Sequence, residues 1–375
     1  MAGQEAAMNT QLIGARIKAV REERKLSQDE VARLFGFKDR QTVSAIETGE
    51  RRVSAEELLR AVEALGKPLD FFTDPFRLVG EGRFSWRHTN VKAAHLAGYE
   101  RNAGRWIAAF REIAPTVGRK APLLRRALGL TRRSSFEDAM AAGERFVAEF
   151  GLGAVPAARL AEVMERELGI LVLMVDAIEG ISGAACRLPE LDAVLINRHE
   201  VIGRRHFDLA HELFHILTWD AMPPEHAEAA VETGGNRVEQ LANNFASALL
   251  MPRDALVPQS AWADLDDEAL IAKLNATADT LEVTATALKW RLVALGALKP
   301  ARARSVPDAA LRYNGREAGE PNPPPLFSRP FIEVIGLAIR EGRVSVRRAA
   351  DLLSLTIDDL EDLFAAHGVE TPFDL

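Results

Sequence analysis

One cysteine, Cys186, is all that 375 residues contain. That scarcity excludes an internal disulfide and any all-cysteine metal site, and it agrees with a reducing compartment. Within the stretch ISGAACRL the lone thiol is expected to be a small buried residue. Also missing is any apolar run near the roughly 20 residues that a membrane helix needs. The opening residues, MAGQEAAMNTQ, have neither the basic nor the apolar region of a signal peptide, so a cytoplasmic location with no membrane partner is the expectation. What is present is ordinary for a globular chain: 47% hydrophobic and 27% charged residues, with length for two or three domains.

The net charge of −7 is unevenly spread. Residues 1–75 carry 12 Lys and Arg against 13 Asp and Glu, residues 77–133 carry 13 against 3, and the remainder 22 against 38. The basic middle also holds Phe84, Trp86, Tyr99, Trp106 and Phe110. Two readings stand side by side. Amphipathic helices with solvated arginines (Arg101, Arg105, Arg125, Arg126) and buried aromatics fit the helical spacing of Tyr99, Trp106 and Phe110. A basic surface with stacking aromatics would instead bind single-stranded DNA, a candidate activator.

Residues 10–75 read as an all-helical head. TQLIGARIKAVREERK places Leu12, Ile13, Ile17 and Val20 on one helix face. LSQDEVARLFGF offers a capping box, Ser27 with Glu30, and a stop at Gly36; DRQTVSAIETGERR supplies a third short helix; VSAEELLRAVEALG a fourth. Short helices joined by tight turns follow the helix-turn-helix plan, with Leu34, Val43 and Ile46 as core. SQDEVARLFG followed by TVSAIETGERR resembles the phage-repressor (XRE-type) helix-turn-helix family. The resemblance implies an operator in double-stranded DNA, with Gln28 anchoring the second helix and Arg40, Gln41 and Ser44 facing base edges in the major groove. Arg51 and Arg52 would be phosphate contacts, and a homodimer would double the contacts of a head whose net charge is near zero.

After a basic helical connector at 76–133, the pattern changes. SSFEDAMAAGERFVAEFGLG and PAARLAEVMERELGI read as helices; ILVLMVD, GISGAACRL and LDAVLINR read as a small three-stranded sheet; NRVEQLANNFASALLMP is a helix stopped by Pro252. Residues 134–256 therefore predict an α+β domain.

Its chemistry lies in HFDLAHELFHIL, residues 206–217. On a helix, i and i+4 lie one above the other, so His211 and His215 offer two imidazole nitrogens to one tetrahedral metal. Glu212, one residue round, reaches a water in the open position without being a ligand, as a general base. A third ligand is required. The extended pattern HExxHxxGxxH fails, because Thr218 and Ala221 stand where Gly and His belong. Glu225, His226, Glu228, Glu232 and Glu239 lie downstream; Glu239 is preferred because it opens a helix 24 residues after His215, far enough for an antiparallel return. Two His and one Glu form a zinc-peptidase ligand set, although imidazole and carboxylate also accept manganese and other first-row ions.

INRHEVIGRRHFDLAHELFHIL followed by EQLANNFASALLMP resembles the ImmA/IrrE metallopeptidases, through Asn197, Arg204, Phe207, Ala210, His211, Glu212, His215, Glu239, Ala242, Asn243, Phe245, Leu249, Leu250, Met251 and Pro252. The resemblance implies a zinc site completed by Glu239 and an endopeptidase that cuts a repressor of the head's own type. Phe214 stands where the family often has Gly, and His206 where it often has Arg; His206, Arg204 and Asn243 are the candidates for steadying the transition state or supporting the ligands.

Residues 257–299 read as a helical extension, with Leu281, Val283, Leu288, Leu292 and Leu295 as core or, alternatively, as a second helix-turn-helix-like unit. Residues 300–326, rich in Pro and Gly, read as a linker. Residues 327–375 form a helical module whose last helix carries Asp358, Asp359, Glu361 and Asp362, pointing to a protein contact such as dimerisation or docking. The whole reads as a multidomain, mainly α chain with an α+β peptidase domain. It predicts a DNA-binding regulator, nucleoid-associated when bound, that cleaves a repressor-like protein, itself included, in a stress or phage response. The rival is a non-proteolytic regulator whose peptidase-like domain senses a ligand or metal and gates DNA binding.

Overall fold

Capping chemistry sets the head. In the computed structural model, which describes residues 2–119, 125–229, 236–256, 262, 264–312 and 323–374, the first five helices are α1 (Ala2–Glu23), α2 (Gln28–Phe35), α3 (Arg40–Glu47), α4 (Ala55–Leu65) and α5 (Leu69–Thr73). Ser27 with Glu30 and Ser54 with Glu57 make reciprocal capping boxes ahead of α2 and α4. Ile17, Val20, Val31, Phe35, Val43, Ile46, Leu65 and Phe72 form the head's core. Gly14 is required where α1 crosses α3, since a Cβ there would lie 1.9 Å from the carbonyl oxygen of Ile46. Leu34 is not core: it is 49% exposed, because α2 packs through Val31, Ala32 and Phe35, and Leu34 lies about 100° round the helix from that stripe.

The body is built on a sheet of five strands rather than three: β1 (Arg83–His88), β2 (Leu171–Val175), β3 (Ile181–Arg187), β4 (Asp192–Asn197) and β5 (Ala227–Ala229). Their order is β2-β4-β3-β1-β5, with β3 antiparallel to both β4 and β1, and the pairs β2–β4 and β1–β5 parallel. The connector is thus not wholly helical. RFSWRH alternates, sending Phe84 and Trp86 to one face and Ser85 and Arg87 to the other, and it pairs with β3 over its whole length.

Period-two alternation splits each strand between two cores. Val172, Ala185, Val194 and Ile196 face α7 (Phe136–Glu149), α8 (Ala157–Arg166), α9 (Ile202–Thr218) and α10 (Arg237–Leu250). That core continues through α11 (Arg253–Leu256), α12 (Asp267–Leu281), α13 (Ala285–Ala294) and α14 (Pro300–Ser305). Leu281, Val283, Leu288 and Leu292 are buried in it, with Leu295 packed alongside, as simple core packing requires. The stretch read as a linker from 300 begins as fold: Ala303, Val306 and Leu311 are buried, while residues 313–322 lie outside the described residues.

The other face, lined by Leu171, Leu173, Ala184, Cys186, Ala193 and Leu195, is covered by α6 (Ala93–Ile113) from the connector. It is covered also by α15 (Arg329–Arg340), α16 (Val346–Leu353) and α17 (Ile357–Ala366) from the C-terminal module. A run of ring contacts crosses all three contributors: Phe84–Trp86 at 5.3 Å, Trp86–Tyr99 at 5.5 Å, Trp106–Phe327 at 5.3 Å and Phe110–Phe331 at 5.9 Å. The connector aromatics are therefore mortar, not a stacking platform. Phe84, Trp86, Tyr99 and Trp106 are buried, and Arg105 bonds Asp351 while Arg125 and Arg126 meet Asp192 and Glu149. The single-stranded DNA reading falls with them. Likewise the C-terminal module spends its apolar faces inside the chain, leaving Asp358, Asp359, Glu361 and Asp362 as an exposed rim.

Head and body meet at residues 74–81. Arg16, fully buried in α1, donates to the carbonyls of Phe71 (2.9 Å), Asp74 (2.7 Å) and Arg77 (2.7 Å) and lies 3.7 Å from Glu81. From the body, Arg111 donates to the carbonyl of Pro75, and Arg348 pairs with Asp74 at 3.5 Å. Among the described residues no helix is long and apolar enough to cross a membrane.

Candidate metal centre and DNA-contact surface

The helix α9 is buried along most of its length, including His211, Glu212 and His215 at 1% exposure each. Its partner α10 crosses it and places Glu239 in its own first turn, where a carboxylate also complements the helix dipole. Tight packing of α10 against α7 needs Gly143, whose Cβ would lie 2.5 Å from the carbonyl oxygen of Phe245.

Four donor atoms converge between α9 and α10. His211 Nε2 lies 3.1 Å from His215 Nε2 and 3.1 Å from Glu239 Oε2, and His215 Nε2 lies 3.2 Å from Glu239 Oε1. One ligand atom from each of the three residues falls within 4.8 Å of the others, and this is the one such group found among the described residues. His211 Nδ1 donates to Asn243 Oδ1 at 3.0 Å, which fixes the tautomer and leaves Nε2 with a bare lone pair aimed at a carboxylate oxygen. Burial, with the charge of Arg87 next, lowers the His211 pKa to about 4, so the ring is neutral near pH 7. A lone pair held against a carboxylate is repulsive unless a cation lies between them. Two imidazoles and one carboxylate are the donor set of a tetrahedral zinc site with its fourth position open, and the residues fit that ion.

Glu212 is not among the converging atoms. Burial pushes its carboxyl well above the usual range; Arg87 opposes that rise, while Glu239 and Asp208 add to it. His226 is elsewhere, with Nε2 2.6 Å from Glu100 Oε2, and Glu225 is exposed and outside the group. Glu232 lies outside the described residues. Of the supporting candidates, Asn243 touches a ligand; His206 bonds the carbonyl of Glu282 at 2.9 Å, and Arg204 lies 3.6 Å from Glu200 and 3.8 Å from Asp208.

Two residues at this centre escape sequence reasoning. Arg87 Nη1 donates to Asp208 Oδ1 at 2.7 Å, joining β1 to α9 across 121 positions of sequence. The only trace in the sequence is an arginine at a polar-face position of an alternating hexamer, and no motif ties it to Asp208.

On the head, Arg40 and Gln41 are exposed at the start of α3 and Ser44 is half-buried one turn on, the face that a major groove would meet. Arg52 is exposed. Gln28 and Arg51 are engaged within the head. Gln28 Nε2 donates to Glu47 Oε2 at 2.9 Å, fixing α2 against the end of α3, and Arg51 forks onto Glu57 at 2.7 and 3.2 Å over the ring of Phe37.

Comparison with protein families matches residues 17–72 to a helix-turn-helix family and residues 166–292 to a peptidase family described as the IrrE N-terminal-like domain. Comparison with curated proteins and with solved structures returns no match. The matched segments bracket the described sites, Gln28 to Arg52 in the first and His211 to Asn243 in the second. The chain joins a segment that matches a helix-turn-helix family, which supports DNA binding by the head, to a segment that matches the IrrE N-terminal-like peptidase family.

Proposed function

We propose that the body is a zinc-dependent endopeptidase and the head the operator-binding part of a transcriptional regulator, acting in the cytoplasm and at the nucleoid. Its substrate would be a repressor-type protein, a second copy of this chain or its own head included, in a stress or phage response. The observation that carries this reading is the convergence of His211, His215 and Glu239 beside a buried Glu212 that takes no part in it. His211, His215 and Glu239 would hold a zinc ion, which when bound would supply Lewis acidity to the scissile carbonyl and to water, and manganese or another divalent ion would suit the same donors. Glu212 takes one proton from the attacking water as its oxygen bonds to the carbonyl carbon and the carbonyl π pair moves to oxygen. When that pair returns and the C–N bond breaks, Glu212 passes the proton to the leaving nitrogen. Asn243 keeps His211 in the ligating tautomer throughout. A homodimer would let two heads of near-neutral charge bind a two-fold operator.

The test mixes the zinc-loaded chain with a tagged Glu212→Gln chain. Cleavage of the tagged chain supports action in trans on a repressor-like head; cutting of the unaltered chain alone, at a rate independent of concentration, supports action in cis. A stable mixture, with casein and candidate repressors also uncut, counts against a peptidase.

A second reading draws on the junction. Because Arg16 ties α1 to residues 71–77, a metal- or ligand-dependent shift in the body reaches the head without any cleavage. Its signature is duplex-DNA affinity that changes with zinc equally in the unaltered and Glu212→Gln chains.

A further inference from the structure

The Arg87 guanidinium is held in an unusual way. Its strand β1 lies outside the segment matched to the peptidase family, yet it pairs with β3 so that Arg87 stands opposite Gly183. A Cβ at Gly183 would lie 3.6 Å from Glu212 Cγ, so this register brings Arg87 beside the general base. One nitrogen, Nη1, is clamped 2.7 Å from Asp208 Oδ1, and Asp208 is 1% exposed and one helical turn before Glu212. Among the described residues the other guanidinium nitrogens have no hydrogen-bond partner, and the side chain retains 17% exposure. The result is a fork with one tine anchored on Asp208 and the others without a hydrogen-bond partner among the described residues. The other candidates for steadying charge already face carboxylates or carbonyls: His206 meets Glu282, and Arg204, 42% exposed, lies between Glu200 at 3.6 Å and Asp208 at 3.8 Å.

We infer that Arg87 is a catalytic residue supplied by the connector: its free N–H donors take the carbonyl oxygen of the bond being cut and hold the negative charge that gathers there. The inference rests on the peptidase reading. It makes the catalytic centre composite, with residues 166–292 alone lacking one of its working groups. Removing a donor of this kind costs about 100- to 1,000-fold in kcat when the donor acts on the transition state and not on the bound substrate.

The experiment uses the full zinc-loaded chain and its Arg87→Gln and Arg87→Lys variants, with a phosphinic tripeptide (a Phe-Leu-Ala isostere) as probe of the anionic tetrahedral state. Calorimetry reads its binding, and elemental analysis reads zinc. For Arg87→Gln the expected result is full zinc and binding weakened about 100-fold, with casein hydrolysis losing kcat while KM stays within about threefold. For Arg87→Lys, which keeps the charge but not the fork, about tenfold weakening is expected, and it decides the question if Arg87→Gln does not fold. Unweakened binding in either folded variant overturns the inference, as does a loss of zinc that accounts for the weakening. If the unaltered zinc-loaded chain binds no phosphinic peptide, the peptidase reading itself fails, and the inference with it.

Discussion

The two faces of the sheet are made of different kinds of sequence. The face toward α9 and α10 is formed by consecutive residues, 134 to 256 and their helical extension, and it carries the motifs. The opposite face is assembled from α6 and from α15 to α17, segments more than 200 residues apart, and it carries no motif at all. Chemistry demands particular residue types at fixed spacing, whereas a cover layer demands only apolar stripes of the right period. The two are nonetheless one structure, because the same strands supply alternate residues to both. A module that looks detachable in sequence, residues 327–375, covers the back of the sheet that carries the candidate metal centre.

The largest effect expected separates the faces by chemistry. Replacing His215 or Glu239 by alanine should lower zinc affinity by more than about 100-fold and abolish cleavage, measured by elemental analysis and casein hydrolysis, while circular dichroism stays unchanged. Next, Phe331→Ala on the far face should destabilise the body by about 3–5 kcal/mol in urea unfolding, since Phe331 is fully buried against the rings of Phe110 and Phe327. If zinc binding and cleavage then persist through a separate, earlier transition of the C-terminal helices, the faces are independent and the comparison breaks.

A smaller effect reads the edge between α8, β2 and α15. Glu165 is partly buried there near Ser328, and burial raises its pKa to about 7. A folded-state pKa above the unfolded one means that its contribution is full below pH 4.5 and is lost as the pH climbs to about 7. Glu165→Gln should therefore gain about 1–3 kcal/mol over the unaltered chain at pH 8 and almost nothing at pH 4, measured by urea unfolding at both. Equal stability at pH 8 would mean that α15 does not press on that carboxyl. Smallest is the head: Arg52→Ala should reduce the slope of log affinity against log salt for duplex DNA by about one, and Arg51→Ala, already paired with Glu57, by less.

The head and the cluster of candidate metal ligands were legible because each announces itself locally. Ser27 with Glu30 and Gly36 mark α2, the spacing of His211 and His215 marks a helical metal pair, and Glu239 opens the next helix as the return path requires. What stayed hidden depended on pairing at a distance. RFSWRH is too short to separate a strand from a helical turn until β3 is known to lie beside it, and Arg87 acquires meaning only from Asp208. The aromatics of 84–110 had the right period for burial, but without Phe327 and Phe331 nothing in the connector showed what would bury them. Leu34 failed for a finer reason: on an eight-residue helix the core stripe is narrow, and one residue's rotation decides exposure.

The central claim is that three residues hold the metal while a fourth, adjacent and buried, does the proton work. Zinc content and casein cleavage of one preparation of the Glu212→Gln chain test it most directly. The account predicts one zinc per chain, as in the unaltered protein, with cleavage reduced to background; a zinc-free preparation, or cleavage at the unaltered rate, would contradict it.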